Sequence, residues 1–396
     1  KPRTVKNCSR LFYIQPKSYF CSFRKVKKQA MTKYPYILFV LLLASFSSCQ
    51  TVEQLSIDYM LPAEISFPNE LKRVAVVNNV SDTPDNTLPP KDNTIKNKNE
   101  LSRAVAYHEG QPALTTEALA KAIAEQNYFN EVVICDSALR ARDFTPREST
   151  LSQEEVQTLA QFLDVDCIIS LENLQMKSTR VLSYIPEWNT YYGTLDTKVY
   201  PTLKIYLPGR KSPMVTINTH DSIFWEEYGN TEGFVRSRLP DERQMIREAS
   251  EFAGSVPVNR ILPYWKTANR YYFINGSVAM RDAAVYVKEN EWEKASKLWE
   301  QAFKAAKNDK KKMRAAFNLA LYYEMKDSVE EAHKWAVTAQ ELARKIDKID
   351  TLKRNDIDLS EIPNYYLTSL YVNELKERSN GLGKLKGQMS RFNEDF

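Results

Sequence analysis

The sequence predicts an α+β protein, a small mixed-sheet α/β domain followed by an all-α domain of helical repeats. Three observations carry that prediction. Between residues 71 and 171, β-branched runs alternate with amphipathic helical stretches. Beyond 171 the apolar residues recur at period two, and beyond 276 two segments match each other at a constant offset of 37 residues. These patterns imply, in turn, parallel strands joined by crossover helices, antiparallel hairpins, and stacked helical pairs.

The chain has 396 residues, 43% of them apolar, with 10 Gly and 18 Pro, so it is long enough and apolar enough to fold through most of its length. Its formal charge of +5 suggests nucleic acid until the charges are located. Residues 1–48 hold ten Lys and Arg and no Asp or Glu, leaving 45 bases against 50 acids in the remainder. A body of net charge −5 has no general attraction for phosphate backbones, so no nucleic-acid partner is expected.

Residues 1–48 are expected to be a leader with a lipoprotein signal. From Met31 the order is Lys33, an apolar run from Tyr36 to Phe46, then Ser47-Ser48-Cys49. About 11 apolar residues are too few for a hydrocarbon core that takes ~20 to cross. Small residues at 47 and 48 suit a peptidase groove, and Cys49 offers a thiol for a diacylglycerol. The segment resembles the loose lipobox of Bacteroidetes lipoproteins, which implies lipid attachment at Cys49. The alternative is a plain signal peptide cut elsewhere, with Cys49 incidental. Residues 1–30 are either upstream sequence that is not translated or an extension that is cleaved. Gln50 stands where an Asp would suggest inner-membrane retention, and Gln50-Thr51-Val52-Glu53 lacks an acidic export cluster. The expected address is therefore the outer membrane, facing the periplasm.

Residues 49–69 are expected to be a linker and 70–275 the α/β domain. Leu71–Val80 suits a buried strand, and 81–100, rich in Pro, Asn and Lys, suits a loop. Ala118, Leu119, Ala122 and Ile123 recur at helical spacing. A strand follows at 130–135, and then Ser152 with Glu155 forms a capping-box signature ahead of Val156, Leu159, Ala160 and Leu163. Val165–Leu171 returns as a strand. Val199, Leu203, Ile205 and Leu207, a Pro208-Gly209 turn, and Val215 to Trp225 give hairpin strands. Asp241–Ala253 is a further helix, and residues 270–273 are expected to close the sheet.

Residues 276–396 are expected to be the helical domain. Ala279, Ala283, Tyr286, Trp292, Ala295, Trp299 and Ala302 fall on Ala316, Ala320, Tyr323, Val329, Ala332, Ala336 and Ala339. Asn290 with Glu293 and Ser328 with Glu331 are expected to start the second helix of each pair. Residues 363–376 are expected to cap the stack, ending before Asn380-Gly381-Leu382-Gly383.

Chemistry-bearing motifs are sparse. His108, His220 and His333 have no metal-ligand spacing, and there is no Gly-rich phosphate loop, no Gly-x-Ser-x-Gly elbow and no His-Glu-x-x-His. The acid pairs Asp241-Glu242 and Glu330-Glu331 sit where first helical turns favour negative charge. Cys135 and Cys167 are expected to be buried free thiols, with a disulfide as the alternative. Trp188–Tyr192 is either a binding surface or a set of half-buried strand aromatics. No catalytic residue, metal or cofactor is expected.

The runs Arg73–Val76, Phe129–Ile134 and Leu163–Ile169, with helices between them, resemble the α/β domain of envelope accessory lipoproteins. That group includes the activator of penicillin-binding proteins, the curli secretion lipoprotein and the amino-terminal domain of the Tol-system β-propeller protein. The 37-residue match resembles tetratricopeptide repeats lengthened by three residues. The whole chain resembles a Bacteroidetes envelope lipoprotein family without an assigned activity. The resemblance implies a non-catalytic scaffold that meets other envelope proteins through its helical repeats. The alternatives are a glycan or small-ligand binder and an enzyme with an unfamiliar carboxylate site.

Overall fold

Val74 to Val77 are fully buried in strand β2 (Arg73–Asn78), the centre of the parallel part of the sheet. The computed structural model describes residues 52–81, 100–141, 150–352 and 358–392. From β2 the chain passes through helix α1 (Pro112–Glu125) to β4 (Glu131–Ala138), and through α2 (Gln153–Leu163) to β5 (Cys167–Ile185). β4 and β5 both pair in parallel with β2, one on each side. Alternate β2 residues therefore enter two cores. Val74 and Val76 meet Leu119 and Ile123 of α1, while Ala75 and Val77 meet Val156 and Ala160 of α2. Ser152 caps α2 as the sequence predicts: its hydroxyl accepts from the Glu155 N–H and its own N–H donates to the Glu155 carboxylate.

β5 runs for 19 residues, well past 171, and forms a long antiparallel hairpin with β6 (Thr190–Tyr206). Beyond β2, its second half pairs with β3 (Glu100–Glu109), so the expected loop gives way to strand at Glu100; its residues 82–99 lie outside the described residues. On the far side of β6 lie β7 (Val215–Asn218) and β8 (Asp221–Gly229), followed by α3 (Glu232–Arg238), α4 (Glu242–Ser255) and α5 (Val258–Ile261). α4 crosses α1 at Gly254, where a Cβ would lie 2.6 Å from the Thr115 carbonyl oxygen and 2.7 Å from the Leu119 nitrogen. Because those atoms are backbone, Gly254→Ala is expected to cost about 1–3 kcal/mol in urea unfolding, far more than a surface substitution.

Two expectations are corrected at the ends of this domain. Residues 52–61, placed in a linker, form β1 (Val52–Leu61), whose alternating Ile57 and Tyr59 are buried. Residues 270–273 do not close the main sheet. They belong to β9 (Tyr264–Phe273), which pairs with β1 as a separate two-stranded ribbon, Val52 opposite Phe273 and Leu61 opposite Tyr264.

The helical region packs α6 (Val278–Lys288), α7 (Trp292–Ala305), α8 (Asp309–Met325), α9 (Val329–Ile346) and α10 (Pro363–Met389) in succession. The small residues related by 37 positions lie in its core: Ala283 with Ala320 and Ala295 with Ala332 are fully buried. Of the expected helix starts, Ser328 is the N-cap residue of α9, whereas α7 starts after Glu291 rather than Asn290. Asn290 sits at φ 60° after α6 and accepts a hydrogen bond from the Trp292 indole, and the Ser328 side chain makes no capping bond. The last helix does not stop near 376 but continues to Met389 through Gly381, where a Cβ would approach Pro62 to 3.1 Å. Its end docks on the α/β part. The Gln388 amide donates to the Ala63 and Ile65 carbonyls and its oxygen accepts from the Ala63 N–H, while Arg391 lies 4.1 Å over the Tyr128 ring. The chain from Thr51 to Phe396 is accordingly one compact unit.

Candidate binding site

Three elements bring charge into the junction between ribbon and helices. On β9, Arg270 alternates with Ala268 and Tyr272 and so faces inward. Glu324 lies in the last turn of α8, and Tyr371, Glu374 and Arg378 share one face of α10 at helical spacing. Glu324 is the hub. One of its oxygens accepts from Arg270 Nη2 at 2.8 Å and Arg378 Nη1 at 3.2 Å, the other from Arg270 Nε at 2.8 Å and the Tyr371 hydroxyl at 2.6 Å. Arg270 also donates to Glu374, and Arg378 to Asp327. The Tyr59 ring of β1 lies 4.4 Å from the Arg378 guanidinium. Burial works against the Arg270 charge, but the Glu324 hydrogen bonds outweigh it and raise its pKa; burial and then Glu324 raise that of Tyr371. All four strong acceptor positions of Glu324 are thereby occupied, which makes it a tie between elements rather than a group free to meet a substrate.

Beside this cluster opens a cleft of about 370 Å³. Five consecutive β1 residues, Ser56 to Met60, line it on one side. Met325, Asp327, Arg378, Leu382 and Leu385 line the other, with Trp265, which is 65% exposed, beside them. β1 pairs with β9 along one edge, and among the described residues no strand takes the other.

A second buried acid, Glu172, sits at the carboxyl ends of the parallel strands. The ladder between β5 and β6 slips there, between Leu171 and Asn173, and the bulge turns the Glu172 side chain inward. It accepts from Asn79 at 2.6 Å and from the Tyr206 hydroxyl at 2.9 Å. Asn79 in turn accepts from Arg140, which holds Glu155 at 2.7 Å. Burial pushes the Glu172 carboxyl up to about 7; for Glu155 burial pushes upward too, but Arg140 and Ser152 hold it down to about 2. A nearby cavity of about 320 Å³ takes in Glu155 but not Glu172.

The Glu172 shift has a definite sign. The folded chain retains a proton that the unfolded chain loses above its ordinary value of 4.5, so stability falls as pH rises from about 4.5 to about 7 and is flat beyond. The loss is on the order of 3 kcal/mol. Urea unfolding at pH 5 and pH 8 measures it, and Glu172→Gln is expected to remove most of the difference.

The remaining candidates are dispersed. Cys49, the predicted lipid attachment residue, and the leader lie outside the described residues. Cys135 and Cys167 are both free, but only Cys167 is buried as expected, which pushes its thiol up to about 12, while Cys135 is half-buried. His108 hydrogen-bonds Ser178 at 2.8 Å and lies 3.2 Å from a Glu242 oxygen, and His220 stacks on Tyr200. Asp241 caps α4. Among the described residues no group of three or more His, Cys, Asp or Glu is arranged to hold a metal ion, and no helix is long and apolar enough to cross a membrane. Trp188 is 69% exposed at the β5–β6 turn, whereas Tyr191 and Tyr192 are half-buried. Neither buried acid was singled out from sequence. The one signal for Glu324 was a lone acid in the apolar run Phe317–Met325.

Residues 71–273, just over half of the chain, match the family model described as Domain of unknown function (DUF8603). The chain belongs to that family. Its DUF8603 region covers β2 through β9, and a second model, Domain of unknown function (DUF6340), matches residues 281–377 in the helices α6 to α10. No curated protein matches the chain, and no solved structure does.

Proposed function

We propose that this chain is a non-catalytic envelope lipoprotein, anchored through Cys49 to the outer membrane on its periplasmic side. It acts as a scaffold or accessory factor for other envelope proteins, as expected of a relative of the Bacteroidetes family named above. The helical pairs serve as tetratricopeptide-like repeats that present a surface to a partner. The observation that carries the reading is the cleft beside β1. One wall is a strand whose second edge is taken by no other strand among the described residues, able to receive an extended segment by main-chain pairing, and the other is formed by helices of the repeat region. The four donors that fill the Glu324 carboxylate support a structural use of the buried charge.

A photo-crosslinking residue at Met325, in the cleft, is expected to capture a specific envelope protein in cells. The same residue at Phe162, exposed on α2, and a control lipoprotein are expected not to capture it. If Met325 enriches nothing beyond the controls, the scaffold reading fails. Exposed Trp265 next to Asp58 and Ser56 favours a second reading, a glycan or small-ligand site, and a thermal shift with cell-wall fragments but no protein crosslink would select it.

A further inference from the structure

The end of the helical region nearest the start of β1 combines apolar surface with concentrated positive charge. Val52 pairs with Phe273, and both pack with Ile274 and Ala279 against the helical core. Three residues beyond Phe273 the chain turns through Gly276, at φ +131°, whose position is next to the Lys311 side chain. A cavity of about 470 Å³ opens there, lined by Val278, Met280, Ala302, Ala305 and Ala306, with Lys307 and Lys311 at its side. Val278 is 62% exposed. Residues 304–314 hold six Lys or Arg and one Asp, and Lys304, Lys307, Lys310 and Lys311 are exposed. This segment is strongly basic in a chain that carries a net negative charge after residue 48.

Chain length decides what meets this surface. Three peptide steps separate Cys49 from Val52, a reach of at most ~11 Å. We propose that this end of α6, α7 and α8 lies against an anionic phospholipid surface, with Lys304, Lys307, Lys310 and Lys311 among the headgroups and Val278 at the interface. The proposal rests on the anchor reading for its geometry. Clustered lysines add an electrostatic attraction near the surface, which fixes the end of the anchored chain that faces the headgroups. The ribbon leads away from that surface over its ten residues, a rise of ~33 Å, so the cleft beside Tyr59 and the α/β part stand off the bilayer, open to periplasmic partners.

The test uses the chain from residue 49 onward with Cys49→Ser, so that only the protein surface can bind. It is sedimented with vesicles of phosphatidylcholine alone and with vesicles containing about one third phosphatidylglycerol. Binding to the anionic vesicles is expected, weakened by salt, and reduced on the order of tenfold or more by K304E/K307E/K310E/K311E. Reversal of four exposed lysines of the α/β part, K72E/K121E/K198E/K211E, is expected to leave it nearly unchanged, and circular dichroism checks that both variants fold. Equal loss in the two variants, or no preference for anionic vesicles, would overturn the proposal. Since the tested chain carries no acyl group, such a failure leaves the anchor reading untouched; failure of the anchor appears instead in the mass of the native protein.

Discussion

Arg270→Ala is expected to destabilise the protein by about 3–5 kcal/mol, among the largest effects of any single substitution outside the apolar cores. Removing the guanidinium takes two of the four donors from Glu324, whose side chain is fully buried, and leaves Glu374 with only Tyr59 and Lys266. The remaining partners, Arg378 and Tyr371, cannot compensate a buried carboxylate from which two hydrogen bonds are gone. The cost is that of an unpaired charge rather than the net worth of the pair. Arg270→Met combined with Glu324→Leu should recover part of it, since these apolar residues need no partners, although the Tyr371 hydroxyl then loses its acceptor and Arg378 keeps only Asp327. Chemical denaturation of the single and double variants separates the two cases. A double variant as weak as the single one would show that the cluster contributes net stability.

Trp299→Ala is expected to cost about 3–5 kcal/mol by the same measurement. Trp299 is fully buried in the helical core and meets Trp292 edge to face at 6.5 Å. At the position 37 residues later stands Ala336, also buried. The two units thus fill equivalent places with very different volumes, so the cavity left by Trp299 has no ready occupant in the first unit. Trp299→Phe, which fills more of the space, is expected to cost less than half as much.

What the sequence reveals and what it hides follow from the range of the interactions. The order β2–α1–β4–α2–β5 is legible because strands buried on both faces need unbroken β-branched runs and helices need one apolar stripe, both local patterns. β3 escapes because Glu100–Glu109 is partly exposed and adjoins a polar stretch. β1 carries a period-two signal in Leu55, Ile57, Tyr59 and Leu61, but its partner β9 is more than 200 residues away, and nothing local names that pairing. α10 continues through Gly381 because that residue meets Pro62, a tertiary reason for a glycine that otherwise signals a helix end. The candidate site was the least legible part. Charged residues are ordinarily solvated, and Glu324, Arg270 and Arg378 become buried only because three distant segments supply one another's partners.

The anchor underlies both the proposed location and the proposed orientation, and the intact mass of the native protein extracted from membranes tests it most directly. The account expects a chain whose first residue is Cys49, carrying a thioether-linked diacylglycerol. A free α-amine without attached fatty chains, or a chain starting at any other residue, would contradict it.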